Sequence, residues 1–313
     1  MKSSPLELIH SDVWSCSTQS LSGCRYYVLF IDDFSWFTWL YPIQNKSDVY
    51  ACFLKFKVLI ENQLSCKYPC SSGLKLLAHD GEPLSAAHIT EYHQTIGALP
   101  YCTLTRPDIA FSVNQLCQHM HCPRSTHWSP AKRVLYYLKG TIDNDLWYQK
   151  GSFILQSYCD SDWAGNPNDC GSTTGYGVFL GSCLVSWTAK KQTVVARSSI
   201  EAEYRALAIT IVEIYWVRMF LKELCISLPI PPTIWCDNIG ALALASNPVF
   251  HARTKHIEVD YHFLREKVLN KDITLQFICS QYHIADVFTK GLSTSRFCEL
   301  RNKLQVCLPP SSL

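Results

Sequence analysis

The sequence has no CxxC pair among its 16 cysteines, no charged-then-apolar leader at its start, and no strong charge of either sign. Its longest apolar stretches, such as 28–31 and 206–212, fall well short of the roughly 18 residues a bilayer span needs. These absences argue against a disulfide framework, a zinc ribbon, a secreted precursor and a transmembrane helix. The expectation is a chain with free thiols in an intracellular compartment, cytoplasmic or nuclear, without signal peptide or membrane contact. A formal charge of only +2 gives no overall basic field, so any nucleic-acid binding must rest on local patches. With 313 residues and 48% apolar content, the chain can bury a core in roughly two domains.

Strand-like runs at 6–12, 25–32 and 36–43, rich in aromatic and β-branched residues, predict a meander. Val49, Phe53, Phe56 and Ile60 recur at three- and four-residue steps, predicting an amphipathic helix over 48–64. A breaker-rich stretch at 65–85 reads as a linker. Beyond it, 90–140 reads as a helical connector in two pieces, 107–119 and 129–138, with Pro107 and Pro130 near their starts. From Phe153 the pattern becomes mixed α/β. It has a strand at 153–160, a hairpin at 175–187 turning near Gly181-Ser182, and a long helix after Ser198 ending near Leu224. A strand at 233–237, helices from Asn238 and over 259–269, a strand at 273–278 and a helix near Asp286 follow.

Four acids in this second half fall where elements should begin or end: Asp160, Glu203, Asp237 and Asp286. Each alone has an ordinary explanation, since Asp favours turns and caps and Glu favours a helix start. Together they suggest something else. Asp160 and Asp237 would both emerge at a carboxyl edge of the sheet, where ligand sites of open α/β sheets gather. Glu203 shares a helical stripe with Leu207, Thr210, Ile214, Val217 and Leu221, and a carboxylate on a buried stripe requires a cation or a proton. Clustered carboxylates suit Mg²⁺, and two such ions about 3.5–4 Å apart activate water and stabilise a leaving oxygen. Mn²⁺ is expected to substitute.

Five ordered motifs then become recognisable. They are Tyr158-Cys159-Asp160-Ser161-Asp162-Trp163-Ala164-Gly165, Ser198-Ser199-Ile200-Glu201-Ala202-Glu203-Tyr204 and Cys236-Asp237-Asn238, then His251-Ala252-Arg253-Thr254-Lys255-His256-Ile257 and Ala285-Asp286-Val287-Phe288-Thr289-Lys290. Together they resemble the RNase H domain of copia-type retrotransposon Pol polyproteins. The resemblance implies a five-stranded mixed sheet flanked by helices and hydrolysis of RNA in RNA–DNA hybrids. It also implies Asp160, Glu203, Asp237 and Asp286 as catalytic and metal-binding residues. The segment 90–140, with Leu104-Thr105-Arg106-Pro107-Asp108-Ile109-Ala110, resembles the region after a reverse-transcriptase palm. No paired-Asp polymerase motif is present, so no DNA synthesis is expected. The opening, His10-Ser11-Asp12-Val13-Trp14 with Asp32-Asp33-Phe34-Ser35, resembles the start of an integrase core, with Asp12 matching its first acid. Its second and third acids are missing, so strand transfer is not expected.

The expected organisation is a truncated integrase-like half-domain at 1–66, a linker at 67–89 and a reverse-transcriptase-tail-like connector at 90–150. An RNase H-like domain at 151–305 and a tail at 306–313 complete it. Such an order reads as an internally deleted relic or a fused gene model, and a catalytically inactive nucleic-acid-binding relic or a DNA-integration protein are the competing functions. The expected partner is an RNA–DNA hybrid, with Lys190, Lys191, Arg253, Lys255 and Arg265 as candidate phosphate contacts, each equally explicable as a solvated charge. Spacings of five and six among His251, His256 and His262 fit no zinc pattern. His283, three residues before Asp286, is a weak candidate for a product-release histidine. Trp163, Trp187, Trp216 and Trp235 read as core anchors.

Overall fold

The structure, a computed structural model, describes residues 8–15, 23–33, 36–63, 68–73, 75–246 and 258–308. The chain divides into two compact units, Met1–Ser65 and Cys66–Leu313. In the first, β1 (Ile9–Ser15), β2 (Tyr26–Asp32) and β3 (Thr38–Ile43) form an antiparallel meander in that order. Helix α1 (Val49–Gln63) packs on it. Val28 and Phe30 alternate inward from the central strand and meet Ile43, Cys52 and Phe56, with the Phe30 and Phe56 rings stacked at 3.9 Å. Phe53, expected on the buried face, is instead 44% exposed.

The second unit is built on a five-stranded sheet. Its strands are β5 (Leu155–Asp162), β6 (Thr173–Leu180), β7 (Cys183–Lys191), β8 (Thr233–Cys236) and β9 (Thr274–Phe277), in the spatial order β7-β6-β5-β8-β9. The β5–β6–β7 pairs are antiparallel, whereas β5–β8 and β8–β9 are parallel. Gly181 takes φ +64° at the β6–β7 turn, where the expected Gly-Ser turn falls. Helices α5 (Ser199–Glu223), α6 (Ile239–Ser246) and α7 (Glu258–Leu269) pack against one face. The expected α5 stripe is buried throughout: Glu203, Leu207, Thr210, Ile214, Val217 and Leu221 all face the sheet. This is a mixed α/β fold, a five-stranded mixed sheet flanked by helices.

The segment before the sheet is more than a spacer. Helices α2 (Ala86–Cys102), α3 (Ala110–Cys117) and α4 (Ser125–Gly140) join α8 (Asp286–Thr289) and α9 (Thr294–Lys303) in covering the other face. Leu99, Ile109, Val113 and Tyr137 share one core with Phe179, Leu184, Phe288 and Phe297. Burying each such side chain contributes about 1.5–3 kcal/mol, so these helices stabilise the sheet directly. Strand β10 (Val306–Cys307) closes the unit by pairing with β4 (Asp145–Leu146). Helix α2, which lies outside the two helical pieces expected at 107–119 and 129–138, forms despite Gly97 and Pro100 in its interior, and Ser85 caps its start. Helix α4 begins at Ser125, ahead of Pro130, because tertiary bonds fix its first turn. The Thr126 hydroxyl donates to Asp80 O at 2.7 Å, and the Ser125 N–H donates to Glu82 O at 3.0 Å.

A buried ionic lock ties these helices together. Arg106 donates from Nε and Nη2 to both Asp108 oxygens at 3.0 and 2.8 Å and reaches Thr141 O at 2.9 Å, while the Tyr137 hydroxyl donates to Asp108. Breaking a buried pair leaves an uncompensated charge, which costs about 3–5 kcal/mol. Asp108→Ala is therefore expected to lower the urea midpoint of the full chain sharply, whereas Tyr137→Phe, which keeps the pair, has a smaller effect. Equal loss in the two variants would contradict this role for the pair.

Candidate metal centre

The site is set by strand register. Tyr158 of β5 pairs with Trp235 of β8, and two more steps along these parallel strands bring Asp160 beside Asp237, which follows the end of β8. Glu203 arrives from the second turn of α5, whose start is fixed by Ser198 accepting from the Glu201 N–H at 3.2 Å. The Ser161 N–H donates to Glu203 Oε1 at 3.2 Å, and the Cys236 thiol lies 4.0 Å from its other oxygen. Asp286 comes from α8, which crosses close over the sheet at Gly175, the residue paired with Asp160. A Cβ on Gly175 would sit 2.6 Å from Phe288 Cβ and 2.7 Å from Thr289 Cγ2, so a glycine is required for α8 to approach.

Three of the predicted acids gather around Asp237, and Asp286 joins them through Lys290. Ligand atoms of Asp160, Asp237 and His283 lie within 4.8 Å of one another, as do those of Glu203, Cys236 and Asp237. Lys290 Nζ bridges the remaining gap, 3.1 Å from Asp160 Oδ2 and 2.7 Å from Asp286 Oδ1. Thr289 donates its hydroxyl to Asp160, Ser280 Oγ donates to Asp237 Oδ2 at 2.8 Å, and Arg296 Nη2 lies 3.7 Å from Asp286.

Electrostatics reflect that crowding. Burial, then the charges of Asp160, Cys236 and Asp237, push the Glu203 carboxyl up to about 10, against a small opposing effect of the Ser161 N–H. Burial also raises Asp286, with Lys290 working the other way. Burial opposes the charge on Lys290, but Asp160 and Asp286 outweigh it and raise the ammonium's pKa. A cluster that holds one carboxyl protonated and draws in an ammonium lacks positive charge, and its oxygen-rich donor set fits a divalent cation.

The other candidates scatter. Lys190 is exposed on β7, Lys191 is committed to Asp169 at 2.5 Å, and Arg265 is half-buried on α7. Arg253, Lys255, His251 and His256 lie outside the described residues. Asp12 sits on an exposed stretch of β1 and accepts from the Val13 N–H at 2.7 Å. Among the described residues it belongs to no group of three potential metal ligands. Trp187 and Trp235 are half-buried, but Trp163 and Trp216 are 48% and 60% exposed. Trp216 falls on the solvent side of α5, opposite the stripe of Glu203, and Trp163 lies past β5 in a turn, donating to Ala196 O at 3.0 Å. Sequence reasoning missed Lys290 and Thr289 as parts of the site, although the Ala285–Lys290 motif contains both, because only the acid in that motif had an evident chemical role.

Gly175→Ala is expected to displace α8, lowering the melting temperature by an amount matching about 1–3 kcal/mol of overpacking and weakening cation binding through Asp286. An unchanged melting curve would contradict the close approach.

No family model matches the chain. It is 45% identical over 245 residues to the retrovirus-related Pol polyprotein from transposon RE2 of Arabidopsis thaliana, which covers 78% of this chain and 17% of that protein. It is 36% identical over 217 residues to the corresponding polyprotein from transposon TNT 1-94 of Nicotiana tabacum, covering 69% of this chain and 16% of that protein. The chain thus spans about a sixth of these curated relatives. A solved LC11 RNase H1 in complex with an RNA/DNA hybrid is 13% identical and covers 43% of this chain and 93% of that chain, with a TM-score of 0.33. So distant a superposition adds nothing to the fold, which the strand order defines. By the sequence matches, the chain is homologous to a stretch of the copia-type, retrovirus-related Pol polyproteins of transposons.

Proposed function

We propose that the second unit hydrolyses the RNA strand of RNA–DNA hybrids with a divalent cation, Mg²⁺ or Mn²⁺, held by Asp160, Glu203, Asp237 and Asp286. The observation that supports this reading is the gathering of Asp160, Glu203 and Asp237 at the edge of β5 and β8, with Asp237 common to both groups of potential ligands and Asp286 tied to Asp160 through Lys290. When bound, such ions lower the pKa of an attacking water and neutralise the departing oxygen. The chain's own residues do the rest. Asp160 is held by Thr289 and Asp237 by Ser280, so both carboxylates are oriented before anything binds. Glu203 must give up its proton to act as a ligand. Lys290, 40% exposed at its side chain, could swing out toward solvent and a phosphate, which would free the Asp160 and Asp286 carboxylates to hold a cation.

Recognition would rest on backbone, sugar and helix shape, since the 2′-hydroxyl distinguishes RNA from DNA, and cleavage would be nearly blind to sequence. Lys190, Arg265, Arg253 and Lys255 are proposed phosphate contacts, while Lys191 would first have to leave Asp169. The test is incubation of the purified chain with a hybrid labelled in each strand. Loss of the RNA strand alone, stopped by a chelator, is the expected result. A hybrid bound but left intact in Mg²⁺ and Mn²⁺ would make the protein a non-catalytic binder.

A further inference from the structure

Beside the acids lies a group that the proposed reaction does not use. His283 is fully buried and follows the short turn at Ser280–Tyr282, held there by its own N–H donating to Ser280 O at 3.1 Å. Its carbonyl accepts from Arg296 at 3.2 Å. Its Nε2 lies 2.9 Å from the carbonyl oxygen of Cys159, one residue before Asp160. A carbonyl only accepts, so Nε2 must carry the proton and donate, which leaves Nδ1 with a lone pair. That Nδ1 is out of solvent and has no hydrogen-bond partner. An unpartnered buried acceptor is uncommon in folded proteins and calls for a cause.

The surroundings supply one. A ring nitrogen of His283 lies with carboxylate oxygens of Asp160 and Asp237 inside a 4.8 Å group, and Nε2 is already tied to Cys159. Nδ1 is therefore the nitrogen free to coordinate. A ring N–H given to a backbone carbonyl, fixing the tautomer and aiming the other nitrogen, is the arrangement that metal-ligating histidines adopt. We propose that His283 is a nitrogen ligand to the cation seated between Asp160 and Asp237, so that this position favours a first-row transition cation over Mg²⁺. The inference rests on the metal-binding reading above and deepens it. Mg²⁺ prefers oxygen donors and keeps its waters, whereas an imidazole beside two carboxylates suits cations that also accept nitrogen.

Mn²⁺ is the probe. Pulsed electron paramagnetic resonance on the Mn²⁺-loaded full chain should show ¹⁴N coupling from a directly bound imidazole, lost in His283→Gln. Calorimetric Mn²⁺ affinity should fall about 10–100-fold in that variant, by analogy with the loss of other histidine-site interactions, with a smaller change for Mg²⁺. Should the variant fail to fold, wild-type protein carrying ¹⁵N-histidine answers the same question, since the ¹⁴N pattern must convert to ¹⁵N. Bound Mn²⁺ without nitrogen coupling would overturn the role of His283 and leave the carboxylate site standing. Absence of Mn²⁺ binding would overturn both.

Discussion

Asp237→Asn is expected to reduce cation-dependent cleavage of a labelled hybrid by about a thousandfold or more while leaving the fold intact. The reasoning starts from position. Asp237 belongs to both groups of potential ligands, with Asp160 and His283 on one side and Glu203 and Cys236 on the other, so removing its charge weakens both at once. A bound cation contributes several kcal/mol of transition-state stabilisation, and each ~1.4 kcal/mol is about tenfold in rate. The fold should survive because the amide oxygen of Asn can still accept the 2.8 Å bond from Ser280. Circular dichroism and thermal melting check the fold, and single-turnover cleavage checks the rate. Wild-type rates in a well-folded variant would remove Asp237 from the mechanism.

The second large effect concerns Glu203. Its carboxyl, pushed up to about 10 in the folded chain, returns to the ordinary Glu value near 4.5 on unfolding. Between those two values the folded state binds the extra proton. Stability of the cation-free protein is therefore fully supported below the unfolded value and is progressively lost as pH rises toward the folded one. Glu203→Gln removes that titration with an isosteric neutral group, so the variant should be more stable than wild type without cation, by a margin that widens from pH 6 to pH 9. Divalent cation should reverse the order, stabilising wild type and not the variant. In wild type, cation binding should release a proton, seen as a dependence of the calorimetric heat on buffer ionisation enthalpy. A cation-free variant less stable than wild type across this range, or binding without proton release, would contradict the crowding of charge around Glu203.

Much of this site could be read in the residues themselves, because its signals are local. The Ser198 cap and the step pattern from Glu203 to Leu221 fixed the start of α5 and its buried face, and both strand-end acids lay at the sheet edge where their motifs suggested. What escaped was set by tertiary contact. Pro100 and Gly97 argue locally against a helix, yet α2 forms because Tyr92, Ile96 and Leu99 bury against α3 and α4. Phe53 and Trp216 are large and apolar, but the neighbouring sheet selects the opposite side of each helix. The lone pair of His283 depends on a carbonyl 124 residues earlier in the chain, and the bridge from Lys290 to Asp160 is equally remote in sequence. Neither has a spacing pattern to betray it. Gly175 is of the same kind, its role visible only once α8 lies across β6.

The central claim is that the acids from β5, α5, β8 and α8 form one cage for divalent cation. Anomalous diffraction from Mn²⁺-soaked crystals of the full chain tests it most directly. The account predicts strong peaks within coordinating distance of Asp160 and Asp237, with Glu203 or Asp286 completing the shell and Lys290 displaced from its bridge. Mn²⁺ found only elsewhere on the molecule, with Lys290 still joining Asp160 to Asp286 at millimolar cation, would contradict it.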